Sequence, residues 1–159
     1  MFVADLHNDV VQRAMIGEDI NQITQDGHTD LSRLVDSCID LEVFVVWVST
    51  ISSNESYFEK ANLMYDKIEQ LINNHKSINI SRNLQSIIEN KKNNVLSISI
   101  GLEGGEAIEN SLDKLYHFIQ KGILYFGPTW NYSLDWVSSG YDEVNNKKIK
   151  QLGLSSFGK

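Results

Sequence analysis

Apolar residues recur along this chain in two rhythms. Four short stretches are continuously or alternately apolar. They are Met1–Leu6, broken only by Asp5; Leu41–Val48, unbroken from Val43; Val95–Leu102, where Ser97 and Ser99 alternate with Leu96, Ile98 and Ile100; and Ile123–Phe126. Runs of this length bounded by polar residues predict buried strands, and an unbroken run predicts a strand covered on both faces, as parallel sheets require. Between them the apolar positions step by three and four. Leu31, Leu34, Val35 and Cys38 follow a cap at Thr29 or Asp30. After the polar break Ser52–Glu55, the capping-box pair Ser56 and Glu59 opens a long helix carrying Phe58, Ala61, Tyr65, Ile68 and Ile72, reaching about Asn74. A shorter helix spans Leu84–Asn90, with Leu84, Ile87 and Ile88 facing inward. Asn110 with Asp113 caps another, lined by Ile108, Leu112, Leu115 and Ile119 and closed by Gly122 in the left-handed C′ position. Val10–Ile16 forms a helical turn or two, Gly17–Gly27 is loop, and Tyr132–Leu152 is irregular.

Strands and helices therefore alternate four times, with connections long enough for parallel crossovers, so the fold class is α/β. Four such units are half of a (β/α)₈ TIM-like barrel, a fold that builds its sites at the C-terminal ends of the strands. A doubly wound open sheet is the competing arrangement, but no Gly-rich phosphate fingerprint follows the first strand.

The chain has 159 residues and a formal net charge of −7. That charge argues against nucleic acid or an anionic membrane surface as partner. Cys38 is the only cysteine, which excludes an internal disulfide and a thiolate metal cluster. No run of about 18 apolar residues spans a membrane. No basic-then-apolar leader precedes the first strand, so the sequence as given reads as cytoplasmic. Its end, Gly153–Lys159, offers Ser155 or Ser156 as a helix cap with no helix to follow, which reads as a truncated chain.

Candidate chemistry lies at three strand ends: His7-Asn8-Asp9, Glu103-Gly104-Gly105 and Trp130-Asn131. If His7 and Asp9 extend the first strand they share a face, roughly 6.5 Å apart. Taken alone, His7-Asn8-Asp9 reads more readily as a polar turn, and Glu103 equally as a surface carboxylate before a glycine turn. Together, an imidazole and two carboxylates on one rim form a donor set suited to Zn²⁺ or a similar ion. Gly104-Gly105 allows close backbone approach.

The ordered set Asp5–Asp9, Thr29–Leu34, Gly101–Gly105, Thr129–Asn131 and Gly153–Lys159 resembles the membrane dipeptidase (renal dipeptidase) family of metal-dependent hydrolases, over the first half of a family member. The resemblance implies a single incomplete domain over residues 1–159, the first half of a (β/α)₈ metallohydrolase barrel with a two-zinc site that hydrolyses dipeptides. It assigns one zinc to His7 and Asp9 and makes Glu103 the carboxylate that bridges both ions. A bridging hydroxide then attacks the peptide carbonyl. It places the second zinc's histidines and the proton-handling aspartate, hence the catalytic residues, in the later half. At most one zinc is expected for this chain.

Two positions depart from the family pattern. Trp130 stands where many members carry a substrate-contacting His, and Leu134 replaces a common Asn. Trp130 and Asn131 are thus the candidate substrate-binding residues, with dipeptide choice open to change. His28, His75 and His117 match no family ligand and read as surface or helix-face histidines. Two other readings stand beside a zinc dipeptidase: a non-catalytic metal-binding remnant, and a hydrolase of the same barrel type acting on another amide, a lactam or a phosphoester. Half a barrel also exposes two sheet edges, which favours association, a homodimer included.

Overall fold

The computed structural model describes residues 1–48, 56–73, 75–145 and 152–159. The expected polar break Ser52–Glu55 and the helix end at Asn74 lie outside these described residues. One parallel sheet organises the chain. Its strands are β1 (Ala4–Asn8), β2 (Leu41–Trp47), β3 (Ile78–Ile80), β4 (Leu96–Glu103) and β5 (Tyr125–Gly127). The order is β1-β2-β4-β3, and β5 also pairs with β4. β3 lies beside the first half of β4, from Ile78 opposite Leu96, and β5 beside its second half, from Tyr125 opposite Gly101. Along the end that carries the candidate ligands, β1, β2, β4 and β5 therefore stand side by side in chain order. This is the half-barrel sheet that the alternation of elements predicts.

The helices are α1 (Val10–Met15), α2 (Leu31–Val35), α3 (Tyr57–Ile72), α4 (Leu84–Lys92), α5 (Leu112–Lys121) and α6 (Gly140–Asn145). One face of the sheet, with Phe44, Val46, Ile98, Ile100 and Leu102, packs on Val10, Val11 and Ala14 of α1, on Leu31 and Leu34 of α2, and on Ala61, Met64, Tyr65 and Ile68 of α3. Each large aliphatic side chain so buried contributes about 1.5–3 kcal/mol. The local stops follow residue chemistry. Asp30 caps α2 by accepting from the Arg33 N–H at 2.9 Å. Its burial alone would raise its pKa, but the hydrogen bonds from Arg33 and Thr24 hold it down at about 2. Ser56 caps α3 at the Glu59 N–H, and Gly122 ends α5 at φ +88°. Ser155 Oγ accepts from the Phe157 and Gly158 N–H groups, as a capping serine does.

Five sequence expectations are corrected. β3 is a fifth strand, too short for its periodicity to show. β1 is exposed along most of its length, because it is an edge strand and no described element lies on its outer side. Ser111, not Asn110, caps α5; Asn110 lies in the left-handed region at φ +58° and cannot serve. Leu84, Ile88, Leu112 and Ile119 are exposed, since α4 and α5 bury only their Ile87 and Phe118 sides against described neighbours. Finally, the stretch after Tyr132 contains the short helix α6, whose Asp142 N–H is capped by Ser139 Oγ at 3.1 Å.

Candidate metal centre

His7 and Asp9 reach the site through a break in strand regularity. Ala4 and Asp5 face Leu41 and Glu42, but the next partners are Asn8 and Phe44, so β1 spends three residues where β2 spends two. A bulge of this kind re-aims side chains. Asp9 is no longer part of the strand; it stands at the N-cap of α1, with φ −89° and ψ 12°. The two residues nevertheless converge, His7 Nε2 lying 3.6 Å from Asp9 Oδ2.

Glu103 arrives from β4, the last residue before a glycine pair. Gly104 adopts φ +90°, which a side chain would resist. At Gly105 a Cβ would lie 2.5 Å from the Trp136 ring and 2.6 Å from the Pro128 carbonyl. The close approach expected of this pair is thus to the chain's own next loop. Gly104 and Gly105 donate to the carbonyls of Gly127 and Pro128 at 2.9 and 3.1 Å, extending the β4–β5 ladder and fixing Glu103.

The result is a three-residue cluster. His7 Nε2 is 3.5 Å from Glu103 Oε2, and one donor atom from each of His7, Asp9 and Glu103 lies within 4.8 Å of the other two. Zinc–ligand bonds of about 2.0–2.2 Å at tetrahedral angles put neighbouring donors about 3.3–3.6 Å apart, which matches both histidine distances. The donor chemistry fits as well, one borderline nitrogen and two hard oxygens. Burial raises the Glu103 pKa, Asp9 and Glu106 add to the rise, and His7 opposes it. A cation among these groups would relieve the crowding of like charges.

The rim beside the cluster is aromatic. Trp47 is the register partner of Glu103 on the neighbouring strand. Its ring meets Trp130 edge-on at 4.9 Å between centroids, and Trp130 meets Tyr132 at 6.3 Å. Trp130 therefore packs on the register partner of Glu103, while the Asn131 carbonyl accepts from Ser139 Oγ at 2.8 Å. Leu134 is drawn away into core packing and pairs with Val137. His117 pairs with Asn62, His75 accepts from the Ser77 N–H, and His28 is exposed; none joins the cluster.

Two residues near the site escaped the sequence reading. Tyr125 projects from β5 across Gly101, and its hydroxyl donates to the Leu6 carbonyl beside His7 at 3.1 Å. Burial, then the charges of Glu103 and Asp9, push its pKa up. Nothing in the local sequence marks it. Glu42 is fully buried in β2 and bonds Asn8. Its signal was an acid placed directly before an unbroken apolar run.

With this geometry in view, likeness to known proteins is informative. The chain is 25% identical to Dipeptidase 3 of Homo sapiens over 98% of its own length and 33% of that protein. It thus spans about a third of the length of that relative. In fold it is similar to a metallo peptidase from Rhodobacter sphaeroides that was solved with a phosphinate mimic of the dipeptide L-Ala-D-Ala. The TM-score is 0.74 at 18% identity, covering 87% of this chain and 48% of that one. It is likewise similar to the probable dipeptidase PvdM from Pseudomonas aeruginosa, with TM-score 0.69 at 12% identity, over 99% of this chain and 42% of that one. The profile of the membrane dipeptidase family (peptidase family M19) matches residues 1–159, and the chain belongs to that family.

Proposed function

We propose that this chain supplies the first-strand and Glu-Gly-Gly ligands of a zinc-dependent dipeptidase, and that His7, Asp9 and Glu103 hold the metal. The convergence of their three donor atoms from β1, the α1 N-cap and β4 carries this reading. Family membership supports metal-dependent hydrolysis of dipeptides as the activity in which the cluster serves. When bound, the ion supplies Lewis acidity toward the scissile carbonyl and toward water. The chain's own residues do the rest of what is present. The bulge at His7 and the glycine pair after Glu103 hold the donors in place. Trp130, braced by Trp47, forms a flat apolar wall with one N–H donor where a dipeptide side chain would lie, and Asn131 adds polar contact beside it.

We further propose that residues 1–159 form one incomplete domain. It has no second set of histidine ligands, since His28, His75 and His117 are all placed elsewhere. The 159-residue chain is expected to bind at most about one zinc and to leave dipeptides intact, because the family resemblance places the proton-handling aspartate, help typically worth about 10²–10⁴-fold, in the later half of a family member. The test is zinc content per chain together with a dipeptide panel in excess Zn²⁺, with Glu103→Gln as control. Zinc-dependent turnover that disappears in Glu103→Gln would show that the chain is active by itself. Absence of zinc binding would remove the metal assignment. Trp130→His is expected to leave zinc content unchanged.

A further inference from the structure

We infer that Glu42, which the metal-dependent reaction does not itself require, is the positioning residue of the metal centre, acting through Asn8. The inference rests on the assignment of His7 and Asp9 as ligands. Asn8 lies between those two residues, and its side chain points the opposite way. Its register partner is Phe44, on the helix-covered face of the sheet, whereas His7 and Asp9 turn to the site. On that covered face Asn8 is held at both ends. Its Nδ2 donates to Glu42 Oε1 at 2.6 Å, and its Oδ1 accepts from the Val10 N–H at 2.9 Å. The first bond anchors the bulge to the central sheet. The second ties the bulge to the first turn of α1, where Asp9 stands.

Glu42 is an unusual anchor. It has no exposed surface, and its Oε2 has no hydrogen-bond partner among the described residues. An unpaired buried carboxyl oxygen is costly, and a hydrophobic residue in its place would be the more stable choice. Structural economy therefore does not account for it. What Glu42 does is fix the residue between two ligands. Metal sites depend on such outer partners, whose loss typically costs about 10–100-fold in affinity.

The test measures zinc affinity of the 159-residue chain by competition with a chromophoric chelator, alongside its denaturant midpoint. Glu42→Leu is expected to weaken zinc binding about 10–100-fold while the midpoint holds or rises. A purely structural role would move both together. Glu42→Gln keeps an acceptor oxygen for Asn8 and is expected to stay within about threefold of the parent chain, well short of that loss. Glu42→Leu that folds and binds zinc like the parent overturns the inference. If Glu42→Leu does not fold, Asn8→Ala decides: a loss of similar size supports the inference, and unchanged affinity overturns it. His7→Ala separates the two levels of the argument. If it loses zinc while Glu42→Leu and Asn8→Ala do not, only the positioning role fails. If His7→Ala also binds zinc normally, the metal-site assignment fails with it.

Discussion

The Tyr125 hydroxyl, on β5, donates to the carbonyl of Leu6, on β1, at 3.1 Å. Between these strands lie β2 and β4. Neighbouring strands are about 4.8 Å apart, so a flat sheet would separate β1 from β5 by about 14 Å. The bond exists because the sheet curls toward a barrel, and the tyrosine lies across the concave side as a strut beneath His7 and Glu103. Tyr125→Phe removes the donor alone. It is expected to cost about 1 kcal/mol, read as a lower denaturant midpoint. An unchanged midpoint would mean the strut is incidental.

Gly101 gives that strut its room. A Cβ there would lie 2.4 Å from the Tyr125 ring. Gly101→Ala should therefore push the ring aside and cost about 1–3 kcal/mol. Because the two residues share one space, the cost of Gly101→Ala should shrink in a Tyr125→Ala background, a non-additivity measurable by a double-mutant cycle. Strict additivity would show that the ring is not the obstacle.

Glu42 predicts a pH signature. Burial, with the negative charge of Asp5 adding to it and the Asn8 bond opposing it, pushes its pKa from 4.5 up to about 7. The folded state thus prefers the protonated acid. That preference stabilises fully below about pH 4.5 and is lost as pH rises through about 7. The change is on the order of 3 kcal/mol. Asp30, held down at about 2, works in the opposite sense and loses its contribution only in strong acid. Glu42→Gln should remove the decline between about pH 4.5 and 7 and leave the acid limb. Stability curves that run parallel across that window would contradict this.

The outer edge of β1 and the outer edges of β3 and β5 carry no partner strand among the described residues. Phe2 and Leu6 at the β1 edge are 50% and 58% exposed. Unpaired edges beside apolar side chains favour association. At rising concentration the 159-residue chain is expected to self-associate by sedimentation equilibrium and to melt broadly. A strict monomer with a sharp two-state melt would count against that expectation.

Local chemistry was legible in the sequence where it depends on near neighbours. The unbroken apolar run of β2, the capping serine at Ser56, the aspartate at Asp30 and the glycine at Gly122 each act within a few residues, so spacing and residue type specify them. The alternation of strands and helices, and with it the half-barrel class, follows from those local rules. His7, Asp9 and Glu103 could be named as candidates because each ends an apolar stretch. Their separations could not, because these rest on a β-bulge and on a β2–β4 register set by partners far along the chain. The same holds for Asn8 and Glu42, whose bond needs that bulge, and for Tyr125 and Leu6, whose bond needs the curvature of four strands. The exposure of β1 and the outward faces of α4 and α5 were hidden for the converse reason. An apolar pattern states which side chains prefer burial, and only the packed tertiary structure decides which of them find a neighbour.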